Sequence, residues 1–152
     1  MPAKYEKLGI SFQYPDNWKL DEEDAMAGCD SVTVYSPGGS FWSLAIHPRS
    51  ADPRLLAEGV VDTMKQEYDE IEAEEVSESV SDHELIGYDL NFYCLDLTNT
   101  AKIRCLRADQ HTLTVFCQAD DREFERIKSV FQAMTVSLLS SVEKIRWGRD
   151  IG

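Results

Sequence analysis

The sequence predicts an α+β protein built as an α/β/α sandwich, with a central antiparallel sheet of about six strands and one helix packed on each face. Segments that alternate with period two recur along the chain, and two amphipathic segments with helical spacing lie at 52–68 and from 120 onward. The longest strands are apolar on both faces, so each face needs a covering layer. A chain of 152 residues is close to the usual size of one domain, which predicts a single fold unit.

We expect one domain over residues 1–139, followed by a basic tail over 140–152. The tail breaks the helical pattern and carries three basic residues around Trp147, so it is expected to be flexible. No apolar run approaches the roughly 20 residues that span a bilayer. The opening MPAKYEKLGI also lacks the apolar segment of a secretory signal, so the chain as given is expected to be cytoplasmic or already processed.

The first predicted element is a strand that ends in a corner. In ISFQYP, alternate residues from Ile10 to Tyr14 fall on one face, and Pro15 ends the strand because it has no N–H for a ladder. The following Asp-Asn pair is typical of a turn. Trp18 then restarts an extended segment, and a tryptophan in this setting is expected to be a packing anchor rather than a ligand-stacking residue.

The next two predicted strands form a hairpin. SVTVYSP and SFWSLAIHP alternate in the same way, and the glycines between them permit the positive φ of a tight turn. The stretch Gly38-Gly39-Ser40 resembles a phosphate loop only superficially. It has no following lysine and leads into a strand instead of a helix N-terminus, which excludes that interpretation.

A helix and an edge strand are predicted in the middle of the chain. Asp52 and Pro53 are typical of a helix N-cap and first turn, and the helix is expected to end near Tyr68. Its apolar stripe faces the core and comprises Leu56, Val60, Val61, Met64 and Tyr68. The following segment IEAEEVSESV has too little apolar content for a central strand, which favours a charged strand at the edge of the sheet.

A meander of three strands and a closing helix complete the predicted fold. The strands are expected at about 84–97, 101–109 and 112–119, and the helix starts at Asp120-Asp121. The apolar stripe of this helix covers the face of the sheet that the 52–68 helix leaves free. The sequence leaves open whether a helix or a second chain covers the outward apolar residues Leu95, Leu97 and Phe116.

Cysteine is the residue type most suited to chemistry in this sequence. A two-residue loop at Asn99-Thr100 would put Cys94 opposite Cys105, and a loop at 110–112 would put Cys105 opposite Cys117. Cross-strand distances permit a disulfide, but a face buried by a helix favours reduced thiols that serve as core residues. The four cysteines contain no closely spaced pair typical of zinc sites, so no metal, cofactor or catalytic residue is expected.

Negative charge is concentrated in one part of the chain. The net charge is −13, and residues 1–100 hold 21 Asp and Glu against 6 Lys and Arg. Nine of the carboxylates fall between Glu67 and Glu84. Such a run repels phosphates, so nucleic acid and anionic membranes are not expected as partners. The run is interpreted either as a solvated face or as an interaction patch for a basic partner.

The stretch GISFQYPDNWKL, together with the order of the predicted elements, resembles the PsbP-like superfamily. Bacterial members share a Phe-x-Tyr-Pro-x-x-Trp opening, which corresponds here to the residues from Phe12 to Trp18, and the resemblance covers about residues 5–139. The superfamily includes the photosystem II extrinsic protein PsbP, a relative that binds the small GTPase Ran, and bacterial proteins of unknown function. The resemblance implies a non-enzymatic accessory or binding module.

Two hypotheses for function follow, and the first is favoured. In the first, the chain is a non-catalytic module that binds another protein through an acidic surface formed by Glu67, Asp69, Glu70, Glu72, Glu74, Glu75 and Glu78, with Trp147 of the tail. In the second, a small-molecule-binding protein or enzyme has a pocket between the sheet and the 52–68 helix, lined by Trp42, Tyr88 and Tyr93.

Overall fold

A computed structural model describes residues 2–22 and 30–142, which form nine strands and two helices. The elements are β1 (Ala3–Lys7), β2 (Ile10–Tyr14), β3 (Lys19–Asp21), β4 (Asp30–Tyr35), β5 (Phe41–Pro48), α1 (Pro53–Glu67), β6 (Ile71–Val80), β7 (His83–Cys94), β8 (Leu97–Arg107), β9 (His111–Asp120) and α2 (Asp121–Ser141). Seven strands form the central sheet in the order β3-β4-β5-β9-β8-β7-β6, and every neighbouring pair is antiparallel. The predicted α+β class is confirmed, with one strand more than expected.

The two helices pack on opposite faces of the sheet. Helix α1 covers β7, β8 and β9, and Met64 belongs to the same buried cluster as Leu90 and Ile103. Helix α2 covers the other face together with the hairpin of β1 and β2, which is a separate two-stranded sheet. The predicted sandwich therefore has one layer that is a helix alone and one layer that is a helix beside a hairpin.

The corner at the start of the chain anchors the hairpin to the core. The ring of Phe12 lies 4.7 Å from that of Trp42, and the N–H of Trp18 donates to the carbonyl of Pro15 at 3.0 Å. Trp18 is buried and meets Phe131 of α2 edge to face at 5.9 Å. The prediction that Trp18 is a packing anchor is confirmed.

Both helices begin at the residues that the sequence predicts. Asp52 caps α1 by accepting from the N–H of Arg54 at 2.9 Å, and Asp120 caps α2 by accepting from the N–H of Glu123 at 3.0 Å. Helix α2 continues to Ser141, past the predicted domain end at 139. The rest of the predicted tail, including Trp147, lies outside the described residues.

The β7–β8 hairpin turns four residues earlier than predicted. Leu95 and Asp96 form the two-residue turn with φ of 53° and 65°, so Cys94 pairs with Leu97 and not with Cys105. Asn99, the expected turn residue, lies within β8, and its side-chain amide donates to the carbonyl of Leu97. The prediction was wrong because a leucine takes a left-handed conformation that usually favours glycine or asparagine.

The β8–β9 hairpin also differs from the predicted register. The N–H of Ala108 donates to the carbonyl of His111 at 2.7 Å, which closes a two-residue turn and places Cys117 opposite Lys102. Cys105 belongs to the core beneath α1, whereas Cys117 belongs to the core beneath α2. The predicted row of three thiols is therefore wrong, because a register shift of three residues, an odd number, moves Cys117 to the other face.

Strand β6 occupies an edge of the sheet, as its composition predicts. It pairs with β7 along ten residues from Ile71 to Val80, and its other edge has no partner strand in the described part of the chain. Across residues 2–22 and 30–142, neither helix combines the length and apolar character needed to cross a membrane.

Candidate functional site

The acidic run does not form a single surface, because the residues of β6 alternate between the two faces. Glu75 lies on the α1 face and pairs with Arg54 of that helix at 2.9 Å. Glu78 lies on the α2 face, where its carboxylate accepts from Nε of Arg104 at 2.6 Å. Glu72 and Glu74 are exposed on β6. The predicted interaction surface is thus divided, and its strand residues are partly engaged within the chain.

The acidic residues before β6 stay together at one end of the sheet. Glu67, Asp69 and Glu70 are exposed and, with Tyr68 and Tyr93, line a depression of about 360 Å³. Within residues 2–22 and 30–142, these three carboxylates form no ion pair with a lysine or arginine. The depression therefore keeps a negative charge that no described side chain neutralises.

Three large apolar side chains project beside this depression. Tyr93 is 63% exposed, Leu95 is 91% exposed and Leu97 is 55% exposed, all at the end of the β7–β8 hairpin. We refer to this region as the acidic tip, which comprises Glu67, Asp69, Glu70, Tyr93, Leu95, Asp96 and Leu97. Neither helix covers Leu95 or Leu97, whereas Phe116 stacks on Phe41 at 5.7 Å.

The turn at the acidic tip is conformationally costly. A leucine with φ of 53° holds its Cβ close to its own backbone, at a cost of roughly 1–2 kcal/mol relative to right-handed conformations. The corresponding turn between β6 and β7 uses the polar residues Ser81 and Asp82 for the same geometry. Leu95 combines this cost with an almost fully exposed apolar side chain, and such strained residues cluster at functional sites.

The structure does not bring the three predicted pocket residues together. Trp42 is fully buried beneath α2, where its indole N–H donates to Thr135 Oγ1 at 3.1 Å. Tyr88 packs on the opposite face beneath α1, and Tyr93 lies at the acidic tip. Trp42 cannot line a pocket under α1 because its position on β5 faces the other layer.

A small cavity does lie between α1 and the sheet, next to Tyr88. Its volume is about 230 Å³, and it is bounded by Arg54 and Glu75, whose ion pair links α1 to β6. Ligand pockets usually measure roughly 300–1,000 Å³. This cavity is below that range and is already spanned by an internal ion pair, so it gives little support to the second hypothesis.

The environments of the two buried thiols disfavour the thiolate, which is the reactive form of cysteine. Burial raises the pKa of Cys105 and raises that of Cys117 to about 12, whereas nucleophilic cysteines need a lowered pKa. His47 reaches Thr114 at 3.1 Å, and the thiol of Cys105 lies 3.4 Å from the same hydroxyl. The Thr114 hydroxyl thus lies between the imidazole of His47 and the thiol of Cys105. The three side chains form a row of hydrogen-bonding contacts.

No metal site emerges from the part of the chain that the structure describes. Within residues 2–22 and 30–142, no group of three or more histidine, cysteine, aspartate or glutamate side chains has a metal-binding arrangement. The described cysteines, which are Cys94, Cys105 and Cys117, are all free thiols.

An arginine cluster is the main polar feature that the sequence reasoning missed. Arg104 donates to Glu78 at 2.6 Å, to Asp89 at 2.8 Å, and to the carbonyls of Tyr88 and Ile103. Burial alone would lower the pKa of Arg104, but the hydrogen bonds to Asp89 and Glu78 outweigh it and raise the pKa. The cluster ties the edge strand to the middle of the sheet.

One sequence signal pointed to this cluster. Gly87 lies within β7 directly opposite Arg104, and a Cβ at this position would collide with the carbonyl oxygen of Ile103. A lone glycine inside a strand pattern is typical of a close backbone approach. It indicates where two strands come near each other, but not which side chain lies above them.

Comparisons with known proteins identify the fold. No protein-family model and no curated protein matches the sequence. Among solved structures, the chain is similar to cyanobacterial PsbP (CyanoP) from Synechocystis sp. PCC 6803, with a TM-score of 0.61 and 14% identity over 95% of this chain and 92% of that one.

Two further structures share the architecture. PA94 from Pseudomonas aeruginosa, described as a protein of unknown function and putative regulator, has a TM-score of 0.53 and 8% identity over 90% of this chain and 95% of that one. A protein from Bacteroides thetaiotaomicron VPI-5482 has a TM-score of 0.56 and 13% identity over 96% of this chain. The chain spans 49% of that protein. At these identities the similarity defines architecture alone, and the chain has a PsbP-like fold.

Proposed function

We propose that the protein is a non-catalytic interaction module that binds a basic segment of another protein at the acidic tip. The segment carries one or two apolar anchors flanked by lysine or arginine. The anchors pack on Tyr93, Leu95 and Leu97, and the flanking cations pair with the carboxylates that surround the depression. Exposed apolar side chains inside a charged rim are typical of protein-binding sites.

The conformation of Leu95 is the single observation that carries this proposal. A polar residue would occupy the turn at lower cost and would not expose a leucine to water. Because an almost fully exposed side chain contributes little burial to folding, we infer that Leu95 is retained for contact with a partner. An aliphatic anchor buried in a complex contributes roughly 1.5–3 kcal/mol, which is comparable to the cost of the turn.

The charge of the tip defines the chemistry of the partner. Glu67, Asp69 and Glu70 carry no internal counter-charge in the described ranges, so a basic segment gains attraction without breaking an ion pair of the module. Exposed charges of this kind mainly accelerate association and select against acidic partners. Binding is therefore expected to weaken as salt is added.

The test uses the full chain and two fluorescein-labelled peptides of the same apolar sequence. One peptide has lysine and arginine beside its anchors, and the other has glutamate at the same positions. We expect fluorescence polarisation to show saturable binding of the basic peptide only, with an affinity that falls as salt is added. Equal binding of both peptides, or binding of neither, would overturn the proposal.

Two leucine variants separate the fold from the function. Leu95→Asn is expected to raise the midpoint of unfolding, because asparagine tolerates positive φ, and to weaken peptide binding about tenfold or more. Leu55→Asn is the matched control, since Leu55 is also exposed but lies on α1 outside the tip. A Leu95→Asn protein that binds as well as the Leu55→Asn protein would contradict the role of the tip.

A further inference from the structure

A groove lies between α2 and the edge strand β6, on the face opposite α1. Its volume is about 320 Å³, within the range of small-molecule sites. Buried apolar side chains form its floor and inner wall, and they are Leu85, Val115, Cys117, Phe124 and Phe131. The groove exists because α2 lies over β8, β9 and the hairpin and makes few contacts with β6 and β7.

Lys102 is the one groove cation that forms no ion pair with another of the described residues. Arg104 is held by Glu78 and Asp89, and Lys128 pairs with Glu125 at 2.9 Å. In residues 2–22 and 30–142 no carboxylate lies within ion-pair distance of Lys102, whose ammonium instead sits 5.7 Å from the centre of the Phe124 ring. Asp89 is directly opposite on β7 but is bound to Arg104.

Lys102 differs from the other lysines that form no ion pair among the described residues. Lys4, Lys19 and Lys65 are exposed to water, whereas Lys102 is half-buried. Lys102 lies instead at the boundary between an aromatic ring and an open apolar groove. The polar side chains of Gln132 and Thr135 line the same groove from α2.

The geometry points to a binding site for a small apolar monoanion, such as an aromatic or medium-chain carboxylate. Its hydrocarbon body packs on Leu85, Val115 and Phe131, and its carboxylate pairs with Lys102. The anion would give Lys102 a direct ion-pair partner, which no side chain of the described residues supplies. This site is separate from the acidic tip in residues and in ligand charge.

The probe for the test is 1-anilinonaphthalene-8-sulfonate, an aromatic monoanion that fluoresces in apolar sites, with decanoate as the competitor. The full chain is expected to bind one probe molecule saturably and to release it when decanoate is added. Lys102→Gln is expected to weaken probe binding about tenfold, which is the loss for one charge-assisted hydrogen bond. Gln132→Trp should abolish binding, because the exposed position lets the indole fill the groove without disturbing the core.

Two controls make the outcome decisive. Lys65→Gln removes the same charge from α1 on the other face and should leave probe binding unchanged. Leu95→Asn should also leave it unchanged, because the probe could otherwise adhere to the exposed leucines of the acidic tip. Absence of saturable binding, equal binding by Lys102→Gln and Lys65→Gln, or loss of binding in Leu95→Asn would each overturn the proposal. None of these results bears on whether the tip binds a basic peptide.

Discussion

The two faces of the sheet are stabilised in different ways. Counted over residues 2–22 and 30–142, the core beneath α2 contains 20 buried residues, among them Trp18, Trp42, Phe12 and Phe131, and is closed by a helix together with a hairpin. In the same ranges, the core beneath α1 contains eight buried residues and is closed by one helix. Because burial free energy follows apolar area, most of the packing stability lies on the α2 face. The aromatic corner near the N-terminus thus contributes to the larger core.

The largest expected effect is a difference between the two cores. Trp42→Ala should lower the free energy of unfolding by about 3–5 kcal/mol, because it leaves a cavity at a fully buried position and frees the Thr135 hydroxyl. Val61→Ala beneath α1 should cost roughly 2 kcal/mol. Urea unfolding of both variants measures the comparison. A loss for Val61→Ala as large as that for Trp42→Ala would contradict the expected difference.

The ion pairs of Arg104 on the α2 face should contribute more stability than the ion pair of Arg54 on the α1 face. Arg104→Met should cost about 1.5–3 kcal/mol, since the arginine side chain is 9% exposed and two carboxylates lose their partner. Arg54→Met is the matched control, because Arg54 is 59% exposed and its pair with Glu75 is expected to contribute about 0.2–1 kcal/mol. Chemical denaturation of both variants tests this, and a larger loss for Arg54→Met would contradict it.

Helix caps should not distinguish the faces. Asp52→Ala and Asp120→Ala each remove one side-chain acceptor for a first-turn N–H, and each should cost about 1 kcal/mol. Thermal unfolding of both variants provides the measurement. Similar losses would mean that the stability difference between the two faces comes from side-chain packing. A much larger loss for Asp120→Ala would mean that the helix ends contribute to that difference.

The smallest expected effect is a pH dependence on the α1 face. Burial lowers the pKa of His47 below its ordinary value of 6.5, so the folded state favours the neutral imidazole. The contribution of neutral His47 to the free energy of unfolding is therefore complete above pH 6.5. This contribution is lost as the pH falls below that value. Urea midpoints measured at successively lower pH should decline less steeply for His47→Gln than for the original chain. Parallel declines would show that His47 plays no part.

The sequence predicted the helices and strands better than the register in which the strands pair. Period and capping located α1, α2 and the edge position of β6, because burial on one face repeats along each element. The pattern did not reveal β1, whose segment AKYEK is mostly polar. Nor did it reveal the turn at Leu95, since the residues at that turn contradict the usual turn preferences.

Two shifted turns explain most of the errors at the candidate site. Moving the β7–β8 turn from Asn99 to Leu95 separates Cys94 from Cys105 and exposes Leu95, and the shifted β8–β9 turn places Cys117 on the other face. The acidic run was recognisable from composition, but its division between faces depends on register. The position of Lys102 above Phe124 depends on how α2 crosses the sheet, which no local pattern encodes.

The contact between Gly87 and Arg104 should constrain both positions during evolution. The carbonyl oxygen of Ile103 occupies the space that a Cβ at position 87 would need, and the same oxygen accepts a hydrogen bond from Arg104. A relative with a side chain at position 87 would have to move β8 and would lose the site where the guanidinium binds. The two positions should therefore covary, and glycine at 87 should accompany arginine at 104 across related sequences.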